Sequence, residues 1–298
     1  MEAFSAIEGV VPRVLVGRRE DPAREFAERW RFQGVTLNLE QALVDDAVDA
    51  VVITSPNAFH ASQAEASIQA EKHVLIEIPM ALNLPDARRI ADLAERSSLC
   101  VMVAHTMRYF PAIREIRRQV VEDGFKIQHM VGFFGLPRRK NVTSAGKPRS
   151  WTDDVLWHFG AHMVDVALWL SGHAEVDRLS CHLGPGHPSQ GVMDMSLSMT
   201  LPGGGIYSLA QSFNLESLRW ILTVVGDQGT VEFDNGVLRD MNGKEIVPYQ
   251  SIVDLHDQNR EFVEAVRMSR VPAITPFDVL PAMTILDQAE RISGGRVR

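Results

Sequence analysis

His158, His162 and Asp165 stand at i, i+4 and i+7 within Arg149-Ser150-Trp151-Thr152-Asp153-Asp154-Val155-Leu156-Trp157-His158-Phe159-Gly160-Ala161-His162-Met163-Val164-Asp165. At about 100° per residue, those offsets fall within roughly 60° of one helical face, so two imidazoles and a carboxylate converge. Imidazole titrates near neutral pH, which suits such a centre to take a proton from a substrate hydroxyl. Asp165 either orients an imidazole or bonds within the scaffold. The same three residues also fit a partly buried polar stripe, or a zinc set. The zinc reading lacks a further ligand set, so no metal is expected.

Cations gather around this centre. Arg138, Arg139, Lys140 and Arg149 flank it in sequence, and Arg108 follows an apolar run in His105-Thr106-Met107-Arg108. Bidentate Arg–carboxylate pairs supply charge and orientation together, which makes Arg108, Arg139, Lys140 and Arg149 candidate contacts for a carboxylated small molecule. The run from Arg138 to Lys140 also fits a solvated loop. Cys100 and Cys181 lie far apart in apolar runs. They read as buried free thiols of a reducing compartment, neither placed as a nucleophile.

The elements that must position these groups alternate in type. Val14-Leu15-Val16, Ala50 to Thr54, His73 to Ile76 and Cys100 to Ala104 are short β-branched runs, separated by helical patterns at Pro22 to Trp30, Ala58 to Ala70 and Leu84 to Glu95. Such alternation predicts a parallel sheet with helices on both faces. Ligands of these sheets sit beyond the carboxyl ends of the strands, where Gly17-Arg18-Arg19, Ser55-Pro56-Asn57, Glu77-Ile78-Pro79 and His105 fall. A dinucleotide site is the natural expectation. Trp157 fits either a wall of the nicotinamide pocket or the core.

The turn after the second strand of a dinucleotide fold chooses the cofactor. An acidic residue there bonds the ribose hydroxyls of NAD, whereas Arg18 and Arg19 offer guanidinium forks to a phosphate. NADP is therefore expected, with NAD possible. The G-x-G-x-x-G turn of such folds is absent, and Met1 to Gly9 looks like the back half of the first helix. The missing strand would lie mid-sheet, so the native chain is expected to begin roughly 16 residues upstream.

Beyond Asp165 the helix runs through Leu168-Trp169-Leu170 to a glycine stop at Gly172. Alternating stretches follow at Asp194 to Leu201, Ile206 to Phe213, Trp220 to Val225 and Thr230 to Phe233, with Pro-Gly and Asn-Gly turns between them, as antiparallel strands require. Asp257 to Met268 and Asp278 to Arg291 form amphipathic helices expected to pack back on the first domain. The fold expected is α/β: a Rossmann-type domain over 1–106, lacking its first strand, and an α+β domain over 107–298.

Composition narrows the partners. The 298 residues are 45% hydrophobic and 23% charged, as in ordinary globular proteins. A net charge of -8 gives no basic footprint for nucleic acid. No apolar run reaches the roughly 18 residues of a membrane span, and no charged and apolar leader opens the chain, so a cytoplasmic protein is expected.

Ser55-Pro56-Asn57-Ala58-Phe59-His60, then Lys72 to Pro79, then Gly160-Ala161-His162-Met163-Val164-Asp165 resemble, in order, the marks of the glucose-fructose oxidoreductase, inositol dehydrogenase and MocA family. The resemblance extends through Val225 to Thr230 and the late helix Asn259 to Arg267. It implies an N-terminal Rossmann domain with His60 among the cofactor-binding residues. It also implies a C-terminal domain with a large, mostly antiparallel sheet, whose open face often serves homo-oligomers.

Family members usually carry Glu-Lys-Pro and an Asp four residues before the histidine, where this chain has Ile78 and His158, so of the usual catalytic set only the histidine, His162, remains; the resemblance implies His162 as the base, with His158 bonding the substrate or holding His162 in one tautomer. With Glu77-Ile78-Pro79, Arg138 to Asn141, Arg149 to Asp153, Leu156-Trp157-His158 and Met193 to Ser196, these departures resemble a branch that oxidises a carboxylated semialdehyde with NADP in aromatic-acid breakdown. Asp153 joins the candidate substrate contacts on that ground. A cyclic hemiacetal already carries the hydroxyl and hydrogen that hydride transfer needs, which agrees with the absence of a placed thiol nucleophile. Two rival readings keep the fold: a non-catalytic ligand-binding or truncated member, and a dehydrogenase of another cyclic polyol or sugar.

Overall fold

A computed structural model describes residues 1–142, 146, 149, 152, 155–172, 175–187, 191–250 and 253–294. It divides into two compact units: Met1–Ala104 with Leu255–Asp278, and His105–Asp254 with Val279–Arg298.

The first unit carries α1 (Glu2–Ser5), β1 (Val14–Val16), α2 (Glu20–Trp30), β2 (Gly34–Thr36), α3 (Leu39–Leu43), β3 (Ala50–Ile53), α4 (His60–Gln69), β4 (His73–Ile76), α5 (Leu84–Arg96) and β5 (Val101–Val103). The strands form two parallel sheets, β1-β2 and β3-β4-β5. Val74, Leu75 and Ile76 in β4 and Val101 to Val103 in β5 are buried. Strands covered on both faces read as continuous apolar runs, which is why these were visible in sequence. β2 was not, because Gly34-Val35-Thr36 is too short to show a period. Helix starts follow local chemistry. Asn83 accepts from the Asp86 amide at 2.8 Å, with Pro85 in the first turn of α5.

The second unit opens with a 3-10 turn (Thr106–Tyr109), α6 (Pro111–Val121) and β6 (Ile127–Pro137). A π-helical turn (Val155–Phe159) then runs into α7 (Gly160–Ser171). There follow β7 (Arg178–Leu183), the small pair β8 (Gly186–His187) and β9 (Gly191–Val192), β10 (Asp194–Thr200), β11 (Ile206–Ser212), β12 (Asn214–Gly226), β13 (Gly229–Asp234), β14 (Val237–Asp240) and β15 (Glu245–Val247). Eight strands form one sheet in the order β15-β14-β13-β12-β6-β11-β10-β7, antiparallel except where β11 meets β6. Helix α8 covers Val253–Arg267 and α9 covers Pro276–Ile292.

Strand alternation puts Met195, Leu197 and Met199, then Tyr207 and Leu209, then Trp220, Leu222 and Val224 on one buried face. Burial of each such side chain contributes about 1.5–3 kcal/mol. α7 packs on this face, and nine of its twelve residues are buried. Gly132 in β6 allows the approach, since an added Cβ would lie 2.8 Å from Leu209 Cδ2 and 2.9 Å from Met163 Cε. α7 stops at Gly172 with φ 72°, a left-handed turn that favours glycine.

From Val279 onward the last helix groups with the second unit, where Leu286 packs against the start of α7, with Cδ2 3.2 Å from the Cβ position of Gly160.

Candidate functional site

In the second unit, three segments bring charged side chains together around Asp165. The acid is 1% exposed and sits in an otherwise apolar helix, so it needs a counter-charge. Arg108, from the 3-10 turn, supplies it as a fork: Nε donates to Oδ2 at 2.8 Å and Nη2 to Oδ1 at 2.5 Å. His105, at the end of the β5 segment, brings Nδ1 to 3.2 Å from the same Oδ2. Burial pushes the Asp165 carboxyl up, but His105 and Arg108 outweigh burial and hold it well below the usual carboxylate range. The Arg108 guanidinium also stacks 5.5 Å from the Trp169 ring centre.

His162 stands on the same helix. Its ring meets His105 edge to face at 5.7 Å and 86°, and Phe159 at 5.9 Å. Nδ1 is buried with no hydrogen-bond partner, while the residue as a whole keeps some exposure. Burial, then His105, then His158 push its titration well below the ordinary histidine value against the pull of Asp165. A ring held neutral and partly open is suited to accept a proton. His158 lies in the π-helical turn, edge to face with Phe159 at 4.5 Å, and Phe159 stacks on Phe134 at 4.5 Å. π-helical turns recur at functional sites because they re-aim side chains within a continuous helix.

This geometry revises the roles read from spacing. Asp165 bonds within the scaffold through Arg108, and the imidazole nearest its carboxylate is that of His105. Arg108 was expected to face substrate, yet its fork closes on Asp165 at 9% exposure. His105 was expected at the cofactor and is instead 1% exposed against Asp165 and His162. Trp157 is fully buried. Arg139 and Lys140 are exposed, with Arg139 Nη1 3.3 Å from Glu216, and Arg149 is half-buried. Asp153 lies outside the described residues. Sequence reasoning missed Gln211, 2% exposed beside Phe134 and Met195 in the sheet, whose amide nitrogen and oxygen have no partner. A lone amide on an apolar strand face was the available signal.

The first unit presents a different kind of site. His60 is 2% exposed at the start of α4, with Nδ1 2.8 Å from the Pro79 carbonyl oxygen and Nε2 2.8 Å from that of Ser55. It ties together the loops after β3 and β4. Ser55 also donates to Gln63 at 2.7 Å. Pro56 and Asn57 complete the first loop, and Ile78 in the second is buried. The Glu77 carboxylate accepts from the Ile78 amide at 3.3 Å, and burial pushes its carboxyl up. After β1, Gly17 packs so close to α2 that an added Cβ would lie 2.4 Å from Ala23 Cβ, and Arg18 and Arg19 follow, both exposed. A tight glycine turn with two exposed arginines ahead of a helix fits the ribose-phosphate end of a dinucleotide.

Both cysteines are buried free thiols, and burial pushes Cys100 up to about 12 and Cys181 up to about 11. Neither supplies a thiolate near neutral pH. Among the described residues, no group of three or more His, Cys, Asp or Glu is arranged to hold a metal ion, and no helix is long and apolar enough to cross a membrane.

Residues 4–105 match the oxidoreductase family model with an NAD-binding Rossmann fold, and residues 111–247 match the C-terminal model of bacterial oxidoreductases. A 4-carboxy-2-hydroxymuconate-6-semialdehyde dehydrogenase from Sphingobium sp. is 34% identical over 97% of this chain and 93% of its own length. This chain belongs to the glucose-fructose oxidoreductase, inositol dehydrogenase and MocA family. It is an oxidoreductase with an NAD(P)-binding Rossmann fold, as family membership requires. A more distant member, the levoglucosan dehydrogenase of Pseudarthrobacter phenanthrenivorans, is 26% identical over 54% of this chain and 43% of its own.

Among solved structures, GenD2 from gentamicin A biosynthesis, in complex with NAD, superposes with a TM-score of 0.84 at 22% identity, covering 98% of this chain and 89% of that one. Levoglucosan dehydrogenase with NADH gives 0.83 at 18% identity, covering 98% and 92%. At those identities the likeness concerns the fold.

Proposed function

We propose that this oxidoreductase uses NADP to oxidise the cyclic hemiacetal of 4-carboxy-2-hydroxymuconate-6-semialdehyde, or a close carboxylated analogue, to the lactone 2-pyrone-4,6-dicarboxylate. The observation that carries the reading is His162: a partly exposed imidazole, kept neutral by burial and two neighbouring histidines, in a chain whose thiols are buried and protonated. Similarity to the Sphingobium semialdehyde dehydrogenase supports the substrate class.

Bound NADP supplies the hydride acceptor. The side chains do the rest. His162 takes the hemiacetal hydroxyl proton as the C–H hydride departs, so the C–O bond becomes the lactone carbonyl. Ring closure of the substrate has already placed hydrogen and hydroxyl on one carbon, and no covalent enzyme intermediate is needed. His158 bonds the substrate beside His162. Arg149, Lys140 and Arg139 supply the cations for the carboxylates. Arg18 and Arg19 meet the 2′-phosphate, and the loops at Ser55 to Asn57 and Glu77 to Ile78 line the nucleotide.

The pH dependence follows in sign. Only neutral His162 accepts a proton, and a lowered titration means protonation begins at lower pH than for a free imidazole. The kcat/KM plateau is therefore expected to extend below about pH 6.5 and fall on the acid side of it. The substrate is tested by following NADPH formation with carboxylated muconate semialdehydes, inositols and aldoses. Turnover confined to the semialdehydes is expected, and turnover of the polyols alone overturns the substrate reading.

A further inference from the structure

The base of the proposed reaction does not stand alone, and its neighbour on the β5 side is fixed more firmly than a chance contact would be. Arg108 binds both oxygens of Asp165, at 2.8 and 2.5 Å, so the carboxylate cannot turn. That carboxylate faces His105 Nδ1 at 3.2 Å, and the His105 ring in turn meets His162 edge to face at 5.7 Å. Asp165 and His105 are each 1% exposed. We propose that His105 is a positioning residue for His162: set beside the carboxylate that Arg108 fixes, its ring meets the base ring edge to face and holds it in its working orientation. The proposal rests on the reading of His162 as the base.

The mechanism is electrostatic and steric together. The His105 ring packs against one side of His162 in poorly screened interior, and Asp165, which would favour a proton on His162, is already met by the Arg108 fork. Among the described residues, charged groups on the elements packed near α7 can be named. The 3-10 turn brings Arg108 and the π-helical turn brings His158, while its own helix brings Asp165. From α6 comes Arg117, held 5.6 Å from the Trp169 ring centre and bonded to the Leu170 carbonyl. The buried faces of β6 and β11 bring Met130, Phe134, Leu209 and Tyr207, whose phenol is pushed up to about 12 and stays neutral. Of the groups that shift His162, Asp165 alone is an anion, and it already faces His105 and Arg108. The lowered titration of His162, by burial first and His105 second, agrees with that arrangement.

The test reads protonation directly, by an NMR titration of the His162 ring in the unliganded full-length protein. In His105→Asn, whose amide still donates to Asp165, the midpoint of His162 is expected to rise on the order of one pH unit. The acid limb of kcat/KM should move with it, and the plateau value near pH 8 should fall by up to about 10²-fold as the base ring loses its orientation. An unmoved midpoint overturns the proposal, as does a loss of kcat/KM that is equal at every pH. Should that variant not fold, His105→Gln keeps an amide donor for Asp165, and an unmoved His162 midpoint in that protein overturns the proposal. A His162→Ala protein that kept full turnover would remove the base reading and leave the measured coupling of the two rings standing, so the two failures are distinguishable.

Discussion

The two units build their sites from different materials. Around the nucleotide loops of the first unit, the contacts run from one buried histidine to main-chain carbonyls, His60 to Ser55 and Pro79, and the residues lie at strand ends. Around Asp165 in the second unit, the contacts run between ionisable side chains from three separate segments. The first kind of site is dictated by topology, because a parallel strand has only one carboxyl end. The second kind is dictated by packing, and a change of one partner leaves a buried charge behind.

That contrast predicts unequal costs. Asp165→Asn keeps the shape but strips Arg108 of its counter-charge, and is expected to destabilise the protein by about 3–5 kcal/mol in urea unfolding. Arg18→Asp changes an exposed residue and should spare stability, while weakening NADP by about 10- to 100-fold and NAD far less, as measured by fluorescence titration. Equal losses for both nucleotides would count against the cofactor assignment. His60→Ala leaves two carbonyls without the imidazole, at a cost of about 1–3 kcal/mol, and should loosen nucleotide binding without moving the pH profile. A shifted profile in that variant would erase the distinction between the two sites.

The same contrast explains what the sequence disclosed. The runs at His73 and Val101 showed parallel strands because burial on both faces leaves an unbroken apolar signature, those at Val14 and Ala50 were legible from their β-branched residues although half-buried, and the strand-end loops followed from all four. His162 was visible because histidine rarely interrupts an apolar helix without reason. The partners of Asp165 were not visible. Spacing on an ideal helix pointed it at His158 and His162, but the π-helical turn displaces His158, and Arg108 and His105 come from 57 and 60 residues earlier in the chain. Arg108 looked like a substrate clamp because an arginine after a strand end is indistinguishable, in sequence, from one serving a buried acid. The lone carboxylate among the apolar residues of α7 was the hint that a cation had to be found.

The central claim is that neutral His162 removes the hydroxyl proton during hydride transfer. The most direct measurement is turnover of the carboxylated semialdehyde by His162→Ala, taken together with the NADP affinity of the same protein. The account predicts that kcat falls by about 10²- to 10⁴-fold while nucleotide affinity stays near wild type. A folded His162→Ala protein that forms NADPH at close to the wild-type rate would contradict it.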